Sequence, residues 1–294
     1  MTHPSLITSG HTQLLALIGM PARHSKSPLL HSVAFAVLGI DAAYVVHELD
    51  TPELSAAFAG IRALGYRGGN LTMPHKTAAM PLMDHVSMVA TLMQAINTFT
   101  LRDGELWGDN TDGAGMLNAL RRRGAQIEDT NIVVLGVGGA ARAIWTQAAL
   151  DGARHIFVIN RDIEDRPYLR AAIEQLREHC DTEISLIDSA HHEQVAYACE
   201  QSAIIINATS VGMGKMAGIS PIHPAVITPQ HIVADAVYYP RQTALLQAAH
   251  ERGAQTVEGL HMLIEQAALC EQLWFGVDMP RDVVEAVLFR EEAE

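Results

Sequence analysis

The chain has 294 residues, enough for two domains of ordinary size, and its hydrophobic content of 49% is typical of a folded globular protein. Its formal net charge of −13 argues against nucleic acid as a partner, because binding to phosphates needs a basic surface. The three cysteines and fifteen histidines form no C-x-x-C or H-E-x-x-H motif, and we see no signal-peptide pattern or membrane-length apolar run, so we expect a cytoplasmic protein without a metal site, a disulfide framework or a membrane partner.

Short apolar runs separated by glycine and proline organise the first half of the chain. They predict strands at residues 14–18, 44–49, 68–73, 95–101 and 106–108. They also predict helices at residues 28–38, 52–64, 85–94 and 114–123, and a helix or turn at 77–83. Ser27 and Thr51 stand before the first two helices and are candidate N-caps, with Pro28 and Pro52 in the first helical turn.

The second half alternates short apolar runs with helical patterns. Strands are predicted at 131–135, 155–159, 183–187, 203–206 and 232–237, and helices at 140–150, 166–178, 191–198, 241–251, 259–275 and from about 280. This alternation predicts βαβ units, and therefore a parallel sheet with helices on both faces.

A glycine turn between a strand and a helix is the most informative stretch. The apolar run 132–135 ends at Gly136, and Gly138 and Gly139 stand just before the alanine-rich helix that starts at Ala140. Backbone N–H groups in such a turn, together with the helix N-terminus, can bind a pyrophosphate that a side chain would hold away. The spacing is not the usual G-x-G-x-x-G, and a tight turn in any α/β protein is the alternative.

The next strand strengthens the dinucleotide interpretation, because it ends in Asn160-Arg161-Asp162. In a dinucleotide-binding unit the end of the second strand meets the adenine ribose. An arginine there suits the 2′-phosphate of NADP, whereas an acid suits the free 2′-hydroxyl of NAD. Both residue types stand side by side, so the residues leave the choice open.

Four polar segments follow or precede predicted strands, at residues 25–27, 70–76, 95–98 and 108–113. They offer hydroxyls, a carboxamide, an ammonium and a carboxylate, which suit a small polyhydroxylated acid. Each also has a simpler interpretation: Ser27, Thr111 and Asp112 as helix caps, Asn97 as a turn residue and Lys76 as a surface lysine.

The ordered set of these segments, with 136–140, 160–161, 206–213 and 259–267, resembles the shikimate dehydrogenase family, including its quinate/shikimate branch, from about Leu17 to Pro280. The resemblance implies two α/β domains, an N-terminal substrate domain and a Rossmann-like dinucleotide-binding domain, with the active site in the cleft between them. The implied boundaries are 1–112, completed by C-terminal helices in 246–294, for the substrate domain and 113–245 for the NAD(P) domain. The implied reaction is the reversible, NAD(P)-dependent interconversion of shikimate and 3-dehydroshikimate.

The resemblance also implies roles for individual residues. Lys76 and Asp112 would be the catalytic pair at the reacting hydroxyl. The substrate would be bound by Ser25, Ser27, Thr72, Asn97, Tyr238 and Gln266, with the two serines and Tyr238 near the carboxylate. The cofactor would be bound by Gly136, Gly138, Gly139, Ala140, Asn160, Arg161, Asp162, Thr209, Met213 and Gly259.

Three positions depart from the family's usual pattern. Many relatives have Phe or Asn where His75 stands, and glycine where His261 stands, so the roles of both histidines and the exact substrate are open. NADP-using relatives commonly follow Asn-Arg with Thr or Ser, where Asp162 stands here. The acid gives a slight preference for NAD, with use of both cofactors left open.

Several alternatives follow. The first is a quinate/shikimate dehydrogenase acting mainly on quinate with NAD in a catabolic route. A remote one is a non-catalytic ligand sensor on the same scaffold, and another is a dehydrogenase for a different small alcohol or a folate-type substrate. The sequence shows no interface, so a monomer and a homodimer both remain open.

Overall fold

The computed structural model describes residues 8–163 and 166–291. The chain forms two compact units. The first runs to Thr111 and resumes at Ala267, and the second is Asp112–Gln266. The assignment of substrate and dinucleotide to separate domains stays a prediction.

The first unit contains a six-stranded sheet with helices. Its strands are β1 (Gln13–Gly19), β2 (Ala42–Glu48), β3 (Gly68–Leu71), β4 (His85–Val86), β5 (Thr98–Arg102) and β6 (Glu105–Asp109). Its first helices are α1 (Ser27–Leu38), α2 (Leu54–Leu64), α3 (His75–Ala78) and α4 (Met88–Met93).

The first sheet is mixed, with the strand order β2-β1-β3-β5-β6-β4. Strand β1 is parallel to β2 and β3, β5 is antiparallel to β3, and β6 is antiparallel to β5. The carboxyl ends of β1, β3 and β6 therefore meet the amino end of β5 at one edge of the sheet. All four predicted polar segments flank strand ends at this edge.

The second unit contains the other sheet. Its elements are α5 (Asp112–Arg122), β7 (Asn131–Leu135), α6 (Gly139–Leu150), β8 (His155–Asn160), α7 (Pro167–Arg177), β9 (Glu183–Asp188), α8 (His192–Glu200), β10 (Ile204–Asn207), β11 (Ile232–Asp235), α9 (Ala244–Glu251) and β12 (Gln255–Val257). Helix α10 (Gly259–Phe275) begins in this unit and ends in the first, which also holds α11 (Arg281–Glu291).

The second sheet is parallel throughout, with the order β9-β8-β7-β10-β11-β12. This is the 3-2-1-4-5-6 order of doubly wound nucleotide-binding folds, and the winding reverses between β7 and β10. Ligands of such sheets bind beyond the strands' carboxyl ends at that reversal. The interior strand residues are buried on both faces, which is why their sequences are continuous apolar runs rather than alternating ones.

Several local expectations differ from the structure, among them the starts of the strand predicted at 95–101 and the helix predicted at 241–251 and the end of the strand predicted at 232–237. Ser27 is the first residue of α1, whose N-cap position is Lys26, and Thr51 follows the true cap, Asp50, in a 3₁₀ turn. Asp112 is likewise inside α5 rather than before it. The predicted helix 85–94 is interrupted, because Ser87 caps α4 through a hydrogen bond from Ala90 N, leaving β4 ahead of it. Strand β12 was not predicted at all.

In the described part of the chain, no helix combines the length and apolar character that crossing a membrane requires.

Candidate active site

Two serines, Ser25 and Ser27, follow β1 at the polar edge of the first sheet. Ser25 Oγ donates to Ser27 Oγ at 3.1 Å, and Ser27 N donates to Ser25 Oγ at 3.2 Å. The turn is closed by Ser25 N, which donates to Ala22 O at 3.0 Å. Ser27 is buried and Ser25 is half-buried. The turn therefore holds two hydroxyls side by side, an arrangement that suits both oxygens of a carboxylate.

Asn97 and Thr111 are joined across the same edge. Asn97 Nδ2 donates to Thr111 Oγ1 at 3.0 Å, and Asn97 Oδ1 accepts from Thr111 N at 2.8 Å. Both residues are buried. Because Thr111 directly precedes Asp112, these hydrogen bonds fix the position of the backbone just before the candidate catalytic acid.

Thr72 and Lys76 follow β3. Thr72 N donates to Ile18 O at 2.9 Å, and the Thr72 methyl group packs against Gly19, where a Cβ would lie 2.1 Å from it. The Lys76 carbonyl accepts from Ile96 N at 2.9 Å. Backbone contacts thus anchor both residues at the edge, and the Lys76 side chain is half-buried.

His75, whose role the sequence left open, is fully buried. Its Nε2 lies 2.9 Å from Leu49 O, and its Nδ1 lies 3.4 Å from Thr51 Oγ1. Both ring nitrogens therefore contact the segment that follows β2. This histidine ties that segment to α3, the short helix that carries Lys76.

A buried polar network that sequence reasoning missed lies beneath this edge. Tyr44 OH donates to Asn70 Oδ1 at 2.7 Å, and Asn70 Nδ2 donates to Asn97 O and to Cys270 Sγ, each at 3.2 Å. Burial, with a smaller contribution from Cys270, raises the pKa of Tyr44 well above its ordinary value, so the phenol is a permanent donor. A polar residue in a strand that is otherwise apolar, as Asn70 is, was the available signal.

In the second unit, the glycine turn lies at the carboxyl end of β7, beside the reversal of winding. Gly136 has φ +111°, and a Cβ there would lie 3.0 Å from Thr209 Cγ2. Gly138 and Gly139 differ, because no protein atom lies within 4 Å of a Cβ built on either. The fold therefore requires glycine at position 136, whereas the bare backbone at 138 and 139 faces open space at the start of α6.

The predicted ribose-contacting residues lie beyond β8, next to that turn. Arg161 and Asp162 are exposed, and Asp162 has φ +51°. The turn is held by Asp188 at the end of β9, whose carboxylate accepts from Ile163 N at 3.3 Å and from Ala190 N at 2.8 Å. These backbone hydrogen bonds, that of Ala190 foremost, lower the pKa of Asp188 and keep it ionised.

A second missed residue, Asp235, is fully buried at the end of β11. Its carboxylate accepts from Thr243 Oγ1 at 2.7 Å, from Val237 N at 2.9 Å and from Asn207 Nδ2 at 2.9 Å. Asn207 Oδ1 in turn accepts from Thr209 Oγ1 at 2.7 Å. Burial raises the pKa of Asp235 to about 6, although these hydrogen bonds oppose the shift. The network sets the turns that carry the candidate residues Thr209 and Tyr238.

The remaining candidates lie on or near α5 and α10. Asp112 is buried in the first turn of α5. A Cβ at Gly115 would lie 2.8 Å from Gln266 N, so α5 and the N-terminal half of α10 pack with backbone almost in contact. Gly259 has a similar constraint, because its Cβ would lie 2.5 Å from Val237 O. Of the others, Tyr238 is half-buried and Met213 is exposed.

His261, the second histidine of open role, lies in the first turn of α10. Its Nε2 is 3.0 Å from Arg123 Nη2. Because a guanidinium can only donate, His261 Nε2 is the acceptor and the ring is neutral in this contact. One turn later, Glu265 accepts from Arg122 Nη1 at 2.9 Å. Both contacts join α10 to the end of α5.

The described residues contain no group of three or more His, Cys, Asp and Glu side chains arranged to hold a metal ion. A cavity of about 640 Å³ lies in the second unit, against Ile159 of β8, Ser189 after β9 and His192 of α8. It adjoins the strand end that carries Asn160, since Ser189 N donates to Asn160 O at 3.0 Å.

Comparison with known proteins gives near-full-length matches. Residues 17–99 match the Shikimate dehydrogenase substrate binding domain, and residues 259–289 match the Shikimate 5'-dehydrogenase C-terminal domain. A curated relative from Streptococcus uberis, named shikimate dehydrogenase (NADP(+)), is 42% identical over 97% of this chain and 98% of its own length.

Two solved structures extend these matches. Shikimate 5-dehydrogenase from Listeria monocytogenes, in complex with shikimate and NAD, is 38% identical with a TM-score of 0.91 and covers 98% of this chain and 99% of its own. Quinate dehydrogenase from Corynebacterium glutamicum, in complex with NAD, is 27% identical with a TM-score of 0.83 and covers 94% of this chain and 99% of its own.

Proposed function

The chain belongs to the shikimate dehydrogenase family, and from that premise we propose that it catalyses the reversible, NAD(P)-dependent interconversion of shikimate and 3-dehydroshikimate. The observation that carries the proposal is the near-full-length match to the Streptococcus uberis relative. The geometry supports it independently, since the segments that carry Ser25, Thr72, Lys76 and Asn97 all flank strand ends at one edge of the first sheet.

We assign the substrate's carboxylate to Ser25 and Ser27, with Tyr238 nearby. The adjacent hydroxyls of the two serines support this assignment, because a carboxylate needs converging donors. The ring hydroxyls are assigned to Thr72, Asn97 and Gln266. A carboxamide or a hydroxyl can both donate to and accept from an alcohol, which matches a ligand whose hydroxyls do the same.

Lys76 and Asp112 are proposed to act on the reacting hydroxyl. The Lys76 ammonium would stabilise the negative charge that develops on oxygen as its proton leaves. The Asp112 carboxylate would orient that ammonium and share the proton. Because two such groups titrate as a pair, neither is named the sole base.

The glycine turn fits a dinucleotide. Open space beside Gly138 and Gly139, at the start of α6, suits a pyrophosphate that accepts from backbone N–H groups. A nicotinamide held there would supply the hydride acceptor for the oxidation of the substrate carbon. Ala140, Thr209, Met213 and Gly259 are proposed to line the rest of its path.

The choice between NAD and NADP depends on Arg161 and Asp162, with Asn160 beside them. An exposed carboxylate next to the ribose repels a 2′-phosphate and can accept from a free diol, which supports a slight preference for NAD. The guanidinium of Arg161 supports NADP. The curated relatives from Streptococcus uberis and Listeria monocytogenes are both named for NADP(+), although the Listeria monocytogenes structure was solved with NAD.

Quinate is a second candidate substrate. Similarity to the quinate dehydrogenase of Corynebacterium glutamicum, solved with NAD, and the acid at position 162 favour it. Quinate carries an additional hydroxyl on the carbon that bears the carboxylate, so the pocket of Ser25 and Ser27 would decide whether it is accepted.

The test is an initial-rate assay of reduced nicotinamide formation that crosses shikimate and quinate with NAD and NADP. Oxidation of shikimate with either cofactor supports the proposed function. Comparable rates with quinate and NAD would place the protein in the quinate/shikimate branch. An absence of turnover in all four combinations, by a folded protein, would contradict the proposal.

A further inference from the structure

A histidine and a glutamate are paired in the interior of the first unit, away from the candidate catalytic residues. His31 Nδ1 and Glu271 Oε1 lie 3.0 Å apart, and neither side chain exposes any surface. His31 belongs to α1 and Glu271 to the C-terminal half of α10. The pair therefore joins two helices that are far apart in the sequence.

The pair is poorly explained as a source of stability. Within the described chain, His31 Nε2 and Glu271 Oε2 are buried without a hydrogen-bond partner. An unsatisfied buried polar atom is destabilising, and apolar side chains of similar volume often stabilise a fold as well as a buried pair does. A directional contact, in contrast, fixes how two helices are oriented, which apolar packing does less strictly.

Aromatic rings surround the imidazole. The ring centroid of His31 lies 4.5 Å from that of Tyr44 in a stacked arrangement, 5.0 Å from the nearest Trp274 ring and 5.9 Å from that of Phe35. This enclosure limits the orientations open to His31, so a change in its hydrogen bond to Glu271 must be transmitted to α1 or to Tyr44.

Two routes lead from His31 to candidate substrate-binding residues. Along α1, Ser27 lies four residues before His31 and therefore on the same face of the helix. Through the stacked ring, Tyr44 OH donates to Asn70, whose amide donates to the carbonyl of Asn97. The His31–Glu271 pair is therefore connected, through α1, to the turn of Ser25 and Ser27 and, through Tyr44 and Asn70, to Asn97.

We propose that His31 and Glu271 are positioning residues for substrate binding, which orient Ser27 through α1 and Asn97 through Tyr44 and Asn70. The inference rests on the proposed function for the identity of the substrate. The pair touches neither substrate nor cofactor. Its effect is expected on substrate affinity, with little effect on the chemical step.

The experiment compares three variants with the wild-type chain. His31→Leu/Glu271→Met replaces the pair with apolar side chains, which restore burial without the directional bond. Glu271→Gln keeps an oxygen that accepts from the imidazole and is the conservative rescue. Leu273→Ala, on the same helix as Glu271 and packed against the same apolar cluster, is the control for a packing defect.

We expect the double variant to raise the KM for shikimate about fivefold or more, with kcat and the KM for the dinucleotide within about twofold of wild type. Glu271→Gln and Leu273→Ala should keep the KM for shikimate within about twofold of wild type. A folded double variant with the wild-type KM would overturn the proposal, as would an equal rise in KM for Leu273→Ala.

Amide hydrogen exchange without ligand separates this inference from the proposed function. Exchange at residues 25–31 and 70–72 should be faster in the double variant, whereas exchange in β7 and β10 should be unchanged. Wild-type exchange throughout the double variant would overturn the positioning role, whatever the substrate. A wild-type chain that does not oxidise shikimate would instead contradict the proposed function.

Discussion

The carboxamide of Asn97 and the hydroxyl of Thr111 bind each other across one edge of the first sheet, while Thr111 N donates to the same carboxamide oxygen at 2.8 Å. One side chain is therefore both a candidate substrate ligand and an internal clamp on the residue before Asp112. If the Asn97 side chain were removed, a loss of activity would therefore reflect the loss of both roles.

Asn97→Ala is expected to lower the free energy of unfolding by roughly 1–3 kcal/mol, because it removes the acceptor of the buried Thr111 N–H. The KM for shikimate should rise as well. Chemical denaturation and steady-state kinetics measure the two effects separately. A variant of unchanged stability would contradict the clamp, and one of unchanged KM would contradict the substrate contact.

Lys76→Ala is expected to lower kcat by roughly 100-fold or more while shikimate still binds, since the ammonium is proposed to act on charge that develops in the transition state. Turnover and calorimetric binding measure the two properties. Thr77→Ala, in the same short helix and exposed, is the matched control and should keep near wild-type turnover. Near wild-type turnover by Lys76→Ala would refute the assigned role.

Asp162→Asn is expected to shift the cofactor preference towards NADP. Asparagine tolerates the φ of +51° at this position and removes the carboxylate that would repel a 2′-phosphate. The ratio of kcat/KM for NADP to that for NAD should rise about fivefold, the equivalent of about 1 kcal/mol. Asp181→Asn, an exposed acid ahead of β9, should leave the ratio unchanged. If both variants shift the ratio equally, the shift comes from the overall charge of the protein, and the proposed role of Asp162 is contradicted.

Gly139→Ala is expected to separate folding from cofactor binding. Alanine in the first turn of α6 meets no protein atom, so helix propensity should raise stability by up to about 1 kcal/mol. Its methyl group would enter the space assigned to the pyrophosphate and raise the KM for the dinucleotide. Gly60→Ala, which also meets open space in α2, should stabilise without that rise. Equal KM values in the two variants would exclude this pyrophosphate path.

Asp235→Asn is expected to change how stability depends on pH. Burial raises the pKa of Asp235 from 3.8 to about 6, so between these values the folded state holds a proton that the unfolded state has lost. Stability from this group is therefore complete below about pH 4 and is lost as pH rises through about 6. The asparagine variant does not lose this stability, so its free energy of unfolding relative to wild type should rise by roughly 2–3 kcal/mol between pH 4 and 7. A pH-independent difference in urea denaturation would contradict the shift.

The parallel sheet of the second unit was largely predictable, because strands buried on both faces appear as uninterrupted apolar runs. The stretch 131–160 shows this, with β7 predicted to the residue and α6 and β8 each within one residue. Strand β12 was not predicted because it has only three residues, two of them polar, and it pairs with β11 alone. Its existence depends on a neighbour rather than on its own sequence.

The candidate site was predictable only where chemistry and position coincide. Lys76 lies in the short helix after β3 and Asn97 lies just before β5, and the sheet order places their segments at one edge. Tyr44 and Asp235 were missed because a buried tyrosine or aspartate at a strand end has no distinctive pattern. Only the three-dimensional partners of these side chains indicate their contribution.

The first compact unit is assembled from two separate stretches of chain. Trp274, near the end of α10, donates from Nε1 to Phe99 O at 3.0 Å and packs where a Cβ on Gly68 would lie 2.8 Å from its ring. During synthesis on the ribosome, the segment up to Thr111 therefore lacks part of its packing until the last helices are made. At usual rates of synthesis this takes on the order of ten seconds. The continuous second unit emerges whole in that interval, so a nascent chain would complete the parallel sheet of its second unit while the first unit still lacks its closing tryptophan.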